Sequence, residues 1–302
     1  MTLEVVQTED GSITCRDAGT GELYHNRAGA YTEALRNYVE PSNLRNTLGG
    51  RKELNVLDVC FGLGYNTFVL TIELLKALKA IGASQVFKLK VVAIDRDPNI
   101  IAILPKVLAD ERLQPLARLA QDFENRNSAV RQALTFQCRL GKLLDFDLVI
   151  KLVELRQEVQ NLVRQGEQFD LIFHDGFSAK HMPELWTYEL FAQYAHLIGE
   201  QGTILTYSSA AAVRGALRLC GLTVKRTAKV GGKSGGTIAG KLHTLKDNPF
   251  AFPLTDLEEA RLNSRSAIPY RDPELDDQPK RIVARRSEEI NASNLSTFKM
   301  EN

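Results

Sequence analysis

Apolar residues gather into five short runs rich in β-branched side chains, Leu54 to Val59, Leu89 to Ile94, Leu148 to Val153, Phe169 to His174 and Gly202 to Tyr207. Runs of this length read as buried strands, and helical stretches between them point to a parallel sheet with crossover helices. Between the first two lies Thr67 to Ala80, TFVLTIELLKALKA, with apolar residues at helical spacing and Asn66 in place to cap it. After the fifth run, Ala211 to Cys220 reads as a helix. Leu222 to Arg226 and Thr237 to Ala239 then flank a Gly-rich connection and predict a closing antiparallel hairpin.

Three regions lie outside this alternation. Residues 1–50 read as an N-terminal cap with turn signals at Asp10-Gly11 and Gly19-Thr20-Gly21, and residues 51–240 as the main domain. Within the latter, Pro98 to Asp145 reads as a helical, charged insertion. Residues 241–302 turn Pro-rich and charged, with a tail from Glu288 that reads as disordered.

At 302 residues, 44% apolar and 25% charged, the chain has enough apolar material for a large core. No apolar run approaches the roughly 18 residues of a membrane helix, and Glu4, Glu9 and Asp10 near the start do not resemble a secretion leader. Cys15, Cys60, Cys138 and Cys220 stand far apart with no CxxC pair, which fits a reduced cytoplasm and disfavours a structural metal site.

The net charge of +1 conceals an asymmetry. Gln201 to Lys246 contains no acid but eight bases, Arg214, Arg218, Lys225, Arg226, Lys229, Lys233, Lys241 and Lys246; without them 30 bases face 37 acids. A polyanion bound near this segment and a solvated basic surface are both open readings.

Candidate chemistry begins where the first strand enters the first helix, in Val56-Leu57-Asp58-Val59-Cys60-Phe61-Gly62-Leu63-Gly64-Tyr65-Asn66. Glycines there let the backbone turn sharply and let a ligand approach its amides at the positive end of the helix dipole. Thr67 stands where a dinucleotide fold needs its third glycine, so NAD is disfavoured. An S-adenosylmethionine loop instead places one acid on the first strand and another at the end of the second, as Asp58 and Asp95 do here. Asp95 would accept from ribose hydroxyls, and Asp58 would hold the loop and the methionine amino group. Asp95 or Asp97 also reads as a helix cap ahead of Pro98. A phosphate loop at Gly231 to Gly236 is rejected, because Thr227 replaces the required first glycine.

The fourth run continues Phe169-Asp170-Leu171-Ile172-Phe173-His174-Asp175-Gly176-Phe177-Ser178, followed by Pro183-Glu184-Leu185-Trp186. Together with Asp58 to Asn66, and with Tyr24-His25-Asn26-Arg27 leading to Gly29-Ala30, this resembles the methyltransferase half of the MnmC family, which finishes modified wobble uridines in tRNA. The resemblance covers roughly residues 10 to 240, and Ser266 to Pro273 is similar to the C-terminal extension of stand-alone members. It departs where Asp58 replaces a glutamate, Cys60 the first glycine and Ala179 a proline, and where Glu154 stands in for the acid that faces the adenine.

The resemblance implies a class I Rossmann-like fold, a mostly parallel seven-stranded sheet with the C-terminal hairpin. It implies S-adenosyl-L-methionine held by Asp58, Phe61, Gly62, Gly64, Asn66, Asp95 and Glu154. The reaction it implies is methyl transfer to the aminomethyl group of a tRNA wobble uridine. The flavin-dependent half is lacking, so only methyl transfer is implied. An acid at the end of the fourth strand can orient the amine and take its proton, which makes Asp175 the candidate base; His174 beside it would point to the other face. Phe177 stacks on the uridine or favours the sulfonium in this reading. Trp186 does so too or lies in the core, and Tyr24 and Arg27 wall the site or serve structure. The rivals are a small-amine methyltransferase of the same fold and a catalytically silent tRNA-binding relative.

Overall fold

A computed structural model of the chain describes residues 3–16, 21–126, 132–229 and 235–297. Gly19 and Thr20 of the second turn signal, and residues 231–234 of the Gly-rich connection, lie outside the described residues. The described chain divides into two compact units, one of residues 1–155 and 171–175, the other of residues 156–170 and 176–302.

The first unit opens with a hairpin of β1 (Glu4–Gln7) and β2 (Ile13–Arg16), turned at Asp10-Gly11. Its sheet contains β3 (Glu53–Val59), β4 (Phe87–Asp95), β5 (Ala133–Leu140) and β6 (Leu144–Leu152), with residues 171–174 of β7 (Phe169–His174), in the order β5-β6-β4-β3-β7. The pairs β6–β4, β4–β3 and β3–β7 are parallel, and β5 closes the edge antiparallel to β6. Helix Tyr65–Ala80 links β3 to β4. Eleven of its sixteen residues are buried, and a helix apolar on nearly every side has to sit inside the fold.

The second unit holds β8 (Ile198–Thr206), β9 (Thr223–Arg226) and β10 (Thr237–Gly240). The expected hairpin forms, with β10 antiparallel to both β8 and β9. Helix Ala211–Leu219 runs where the spacing placed it.

Several expectations change. Among the described residues eight strands stand in the two units beyond the N-terminal hairpin, one more than seven, because β5 occupies part of the stretch read as helical. Its residues alternate strictly, with Leu134, Phe136, Cys138 and Leu140 buried and the residues between them exposed; β6 begins at Leu144 by the same rule, four residues before the apolar run. Among the described residues of that stretch, the helical pieces lie between Pro98 and Arg126 and are short. The tail also differs from expectation, since the segment from Glu288 continues a helix, Pro279–Ala292, instead of starting a disordered end. Buried Ile282 anchors this helix, as do Arg285 donating to the Arg271 carbonyl and Arg286 donating to that of Ile268.

The charge asymmetry resolves within the second unit. Arg214 is 1% exposed and donates to Glu258 at 2.7 Å, to the Thr237 hydroxyl and to the Gly236 carbonyl. Arg218 forms a two-pronged bond to Glu259, Lys225 donates to the Leu245 carbonyl, and Lys241 pairs with Glu200. Much of the basic segment is therefore neutralised from inside, and Arg214 is a core residue rather than part of a basic surface.

Candidate active site

The carboxyl ends of adjacent parallel strands meet in the first unit, with β3 between β4 and β7. The strand order reverses beside β3, the position where open α/β sheets bind ligands. The register sets Asp58 beside Phe173 and Val59 beside both Ile94 and His174, so Asp58, Asp95 and Asp175 converge on the same end of the sheet.

The glycine loop is fastened to β4. The amides of Cys60 and Phe61 both donate to the Ile94 carbonyl, and the Gly62 amide donates to Asp95 Oδ2 at 2.8 Å. Cys60 holds a left-handed φ of 65°, the conformation a glycine adopts without strain. Gly64 has φ 75°, and a Cβ there would stand 2.7 Å from both Phe61 and Phe68. Those two rings meet edge to face, so Phe61 is buried in packing beneath the turn. Tyr24 lies over Gly62, whose added Cβ would be 3.1 Å from the ring, while Arg27 is exposed.

Asp58 is fully buried. Its Oδ2 accepts from the Thr67 hydroxyl at 2.6 Å, and its Oδ1 has no protein partner. Burial, reinforced by Asp175 and Asp95, pushes its carboxyl up to about 8. Asp95 accepts from Gly62 through one oxygen and from the Asp97 amide through the other, and burial raises its pKa as well. Asp97, not Asp95, caps the turn at Pro98 by accepting from Asn99. Glu154 is exposed just beyond β6, next to Val153, whose amide donates to the Asp95 carbonyl.

Asp175 follows β7 directly, and its amide donates to the Val59 carbonyl. Asn66 donates to its Oδ2 at 2.8 Å. Asn66 therefore does not cap its helix; Gly64 occupies that position without a side-chain cap. Tyr38, which belongs to none of the sequence motifs, is fully buried and also bonds the Asp175 carboxyl. Burial raises the Asp175 pKa, and the bonds from Tyr38 and Asn66 oppose that rise.

Two aromatic residues belong to the second unit. Trp186 is 1% exposed, packed edge-on against Tyr207, with its indole N–H donating to the Phe177 carbonyl at 2.7 Å. Of its two readings the core one holds: its ring is packed away, and its N–H ties down the loop that carries the partly exposed Phe177. The N-terminal motif is likewise largely structural. Asp10 accepts from Thr8, Ser12 and Thr32, Gly29 packs onto that carboxylate, and Thr14 bonds the buried His25. Asp10 was legible only as a turn residue.

Asp58 Oδ1 is left without a protein partner, and among the described residues no lysine or arginine forms an ion pair with Asp58, Asp95 or Asp175. That donor set fits a ligand carrying an ammonium, a sulfonium and ribose hydroxyls.

Comparison with known proteins agrees. Residues 120–242 match the family model described as S-adenosyl-L-methionine-dependent methyltransferase. The solved structure of MNMC2 from Aquifex aeolicus superposes with a TM-score of 0.72 at 28% identity, covering 96% of this chain and 85% of that one. The uncharacterized protein MJ0670 of Methanocaldococcus jannaschii is 26% identical over 94% of this chain and 71% of its own length. The tRNA 5-methylaminomethyl-2-thiouridine biosynthesis bifunctional protein MnmC of Methylibium petroleiphilum is 29% identical over 72% of this chain. This chain spans about a third of the length of that relative and of the next MnmC proteins it matches.

Fold, loop and family match define a Rossmann-like methyltransferase that uses S-adenosylmethionine. Within that class, the chain is related to the methyltransferase portion of MnmC. No described helix is long and apolar enough to cross a membrane.

Proposed function

We propose that the chain methylates the primary amine of a 5-aminomethyl group on the wobble uridine of tRNA, in its 2-thiolated form, within the cytoplasm. The observation that carries this reading is Asp175, held by Asn66 at the end of β7, beside a glycine loop related to that of MnmC.

Bound S-adenosylmethionine supplies an electrophilic methyl on a sulfonium. Asp58 Oδ1 would accept from its ammonium, Asp95 from its ribose hydroxyls and Glu154 from its adenine amino group. Gly62 and Gly64 let the loop take its left-handed turns against Tyr24, Phe61 and Phe68, and Asn66 supports it from beside, so that its backbone can face the cofactor. Asp175, ionised, accepts a hydrogen bond from the substrate amine, aims its lone pair in line with the methyl and removes its proton as the bond forms. Tyr24 and Arg27 stand at the entrance on the side of the glycine loop.

A second reading, methylation of a small amine, gains from the internal neutralisation of Arg214, Arg218 and Lys241, which shrinks the basic surface available to RNA. The deciding experiment is incubation with S-adenosylmethionine and tRNA from cells lacking this methyl group, then mass analysis of the nucleosides. Conversion of aminomethyluridine to methylaminomethyluridine supports the tRNA reading. Cofactor binding without a methylated nucleoside shifts it to the small amine.

A further inference from the structure

We propose that Tyr38 is a positioning residue of the methyl-transfer site, its hydroxyl held at the end of β7 between the His174 carbonyl and the Asp175 carboxyl so that this carboxyl is fixed toward the amine. The proposal rests on the role given to Asp175 above and names what makes that role feasible at neutral pH.

Tyr38 lies in a π-helical turn, Leu35–Val39, that continues helix Ala30–Ala34. Such turns are rare, and they recur at functional sites because the extra residue re-aims a side chain. This one sends the Tyr38 ring into the core against Phe173, at 5.4 Å between centroids and 62° between planes. Its hydroxyl reaches the end of β7, 3.3 Å from the His174 carbonyl and within bonding reach of the next carboxyl. Asn66 arrives at the same carboxyl from the start of helix Tyr65–Ala80. Two neutral donors thus converge on one acid from separate elements.

The surroundings explain why donors are needed. Close to Asp175 are Asp58 of β3 and Cys60 just after that strand, with Asp95 of β4 acting on both of these and Arg96 opposing at Cys60; His174 precedes it on β7. Burial favours the protonated form of Asp175, which cannot accept the proton of an amine. A phenol and an amide oppose this without adding a positive charge that would repel a sulfonium.

The test uses Tyr38→Phe, which keeps the ring on Phe173. In protein carrying 13C-labelled aspartate, with the Asp175 signal assigned by its loss in Asp175→Asn, the carboxyl titration midpoint rises by about one unit in the variant. The acid limb of the methyl-transfer rate moves up equally, and activity recovers to within about threefold of the parent at high pH. S-adenosylmethionine affinity by calorimetry changes less than about twofold. Site-specific 3-fluorotyrosine at position 38, a stronger donor of nearly the same size, lowers the midpoint and serves if Tyr38→Phe folds poorly. An unchanged midpoint, or a uniform loss of rate across pH, overturns the proposal. If the parent methylates no tRNA, the functional reading fails by itself, while the titration still decides on Tyr38.

Discussion

The amide of Asn66 and the carboxylate of Asp175 are 109 positions apart in the chain and 2.8 Å apart in the fold. One opens the helix after the glycine loop, and the other ends a strand on the far side of β3. Their bond couples the start of the helix after the glycine loop to the proposed base. Replacing Asp175 by Asn keeps the shape and removes the proton acceptor, so turnover is expected to fall at least about a hundredfold while S-adenosylmethionine affinity stays within a few fold. Parallel single-turnover kinetics and calorimetry check this; normal turnover would remove Asp175 from its role.

Besides the ribose contact proposed for it, the Asp95 carboxylate fastens the Gly62 amide. Asp95→Ala is expected to weaken S-adenosylmethionine binding at least about tenfold, through lost ribose contacts and a loosened loop. Equal affinity in a calorimetric titration would contradict the assignment.

Cys60 carries a Cβ in a left-handed conformation. Cys60→Gly relieves that strain and is expected to stabilise the fold by about 1 kcal/mol, less any packing lost with the thiol. Urea denaturation of the two proteins decides; a destabilised glycine variant would show that thiol packing outweighs the backbone.

Asp58 makes stability pH-dependent in an unusual direction for an acid. Its folded pKa of about 8 lies above the unfolded value near 4, so between these pH values the native state holds a proton that the unfolded chain has lost. The contribution is complete below the unfolded pKa and is lost as pH rises through 8. Asp95 and Asp175 shift in the same sense. Chemical denaturation without cofactor is expected to show a stability decline from pH 5 to 8 that Asp58→Asn makes shallower. Identical slopes would mean that Asp58 is ionised in the native state.

The buried pair Arg214–Glu258 and the exposed pair Arg218–Glu259 offer a matched contrast on one helix. Glu258→Ala leaves a buried guanidinium uncompensated and is expected to cost about 3 kcal/mol, whereas Glu259→Ala costs less than about 1 kcal/mol. Similar losses in both variants, measured by denaturation, would place Arg214 in contact with water.

Much of the parallel sheet was legible because its strands are continuous apolar runs: Phe169 to His174 agrees with β7 end for end. β5 carries an equally plain signal of period two, yet it sits among charged helical pieces that dominate the composition around it. At the site, residues adjacent to the glycines or to a strand end could be named from local pattern. Tyr38, Thr67 and Asp10 could not, since each acts through a partner brought near only by the fold. Arg214 is the opposite case. Its type and neighbours indicated a surface, and a single acid 44 residues later made it part of the core.

That separation bears on how the chain acquires its structure during synthesis. The first unit is complete once residue 175 has emerged, whereas Arg214 appears well before the glutamate that compensates it. During this interval Arg214 and Arg218 lack the acids that pair with them, within a stretch from Gln201 to Lys246 that carries no acid of its own. Arrival of Glu258 and Glu259 then supplies those partners, so that the second unit can close around Arg214 only after helix Asp256–Leu262 has been made.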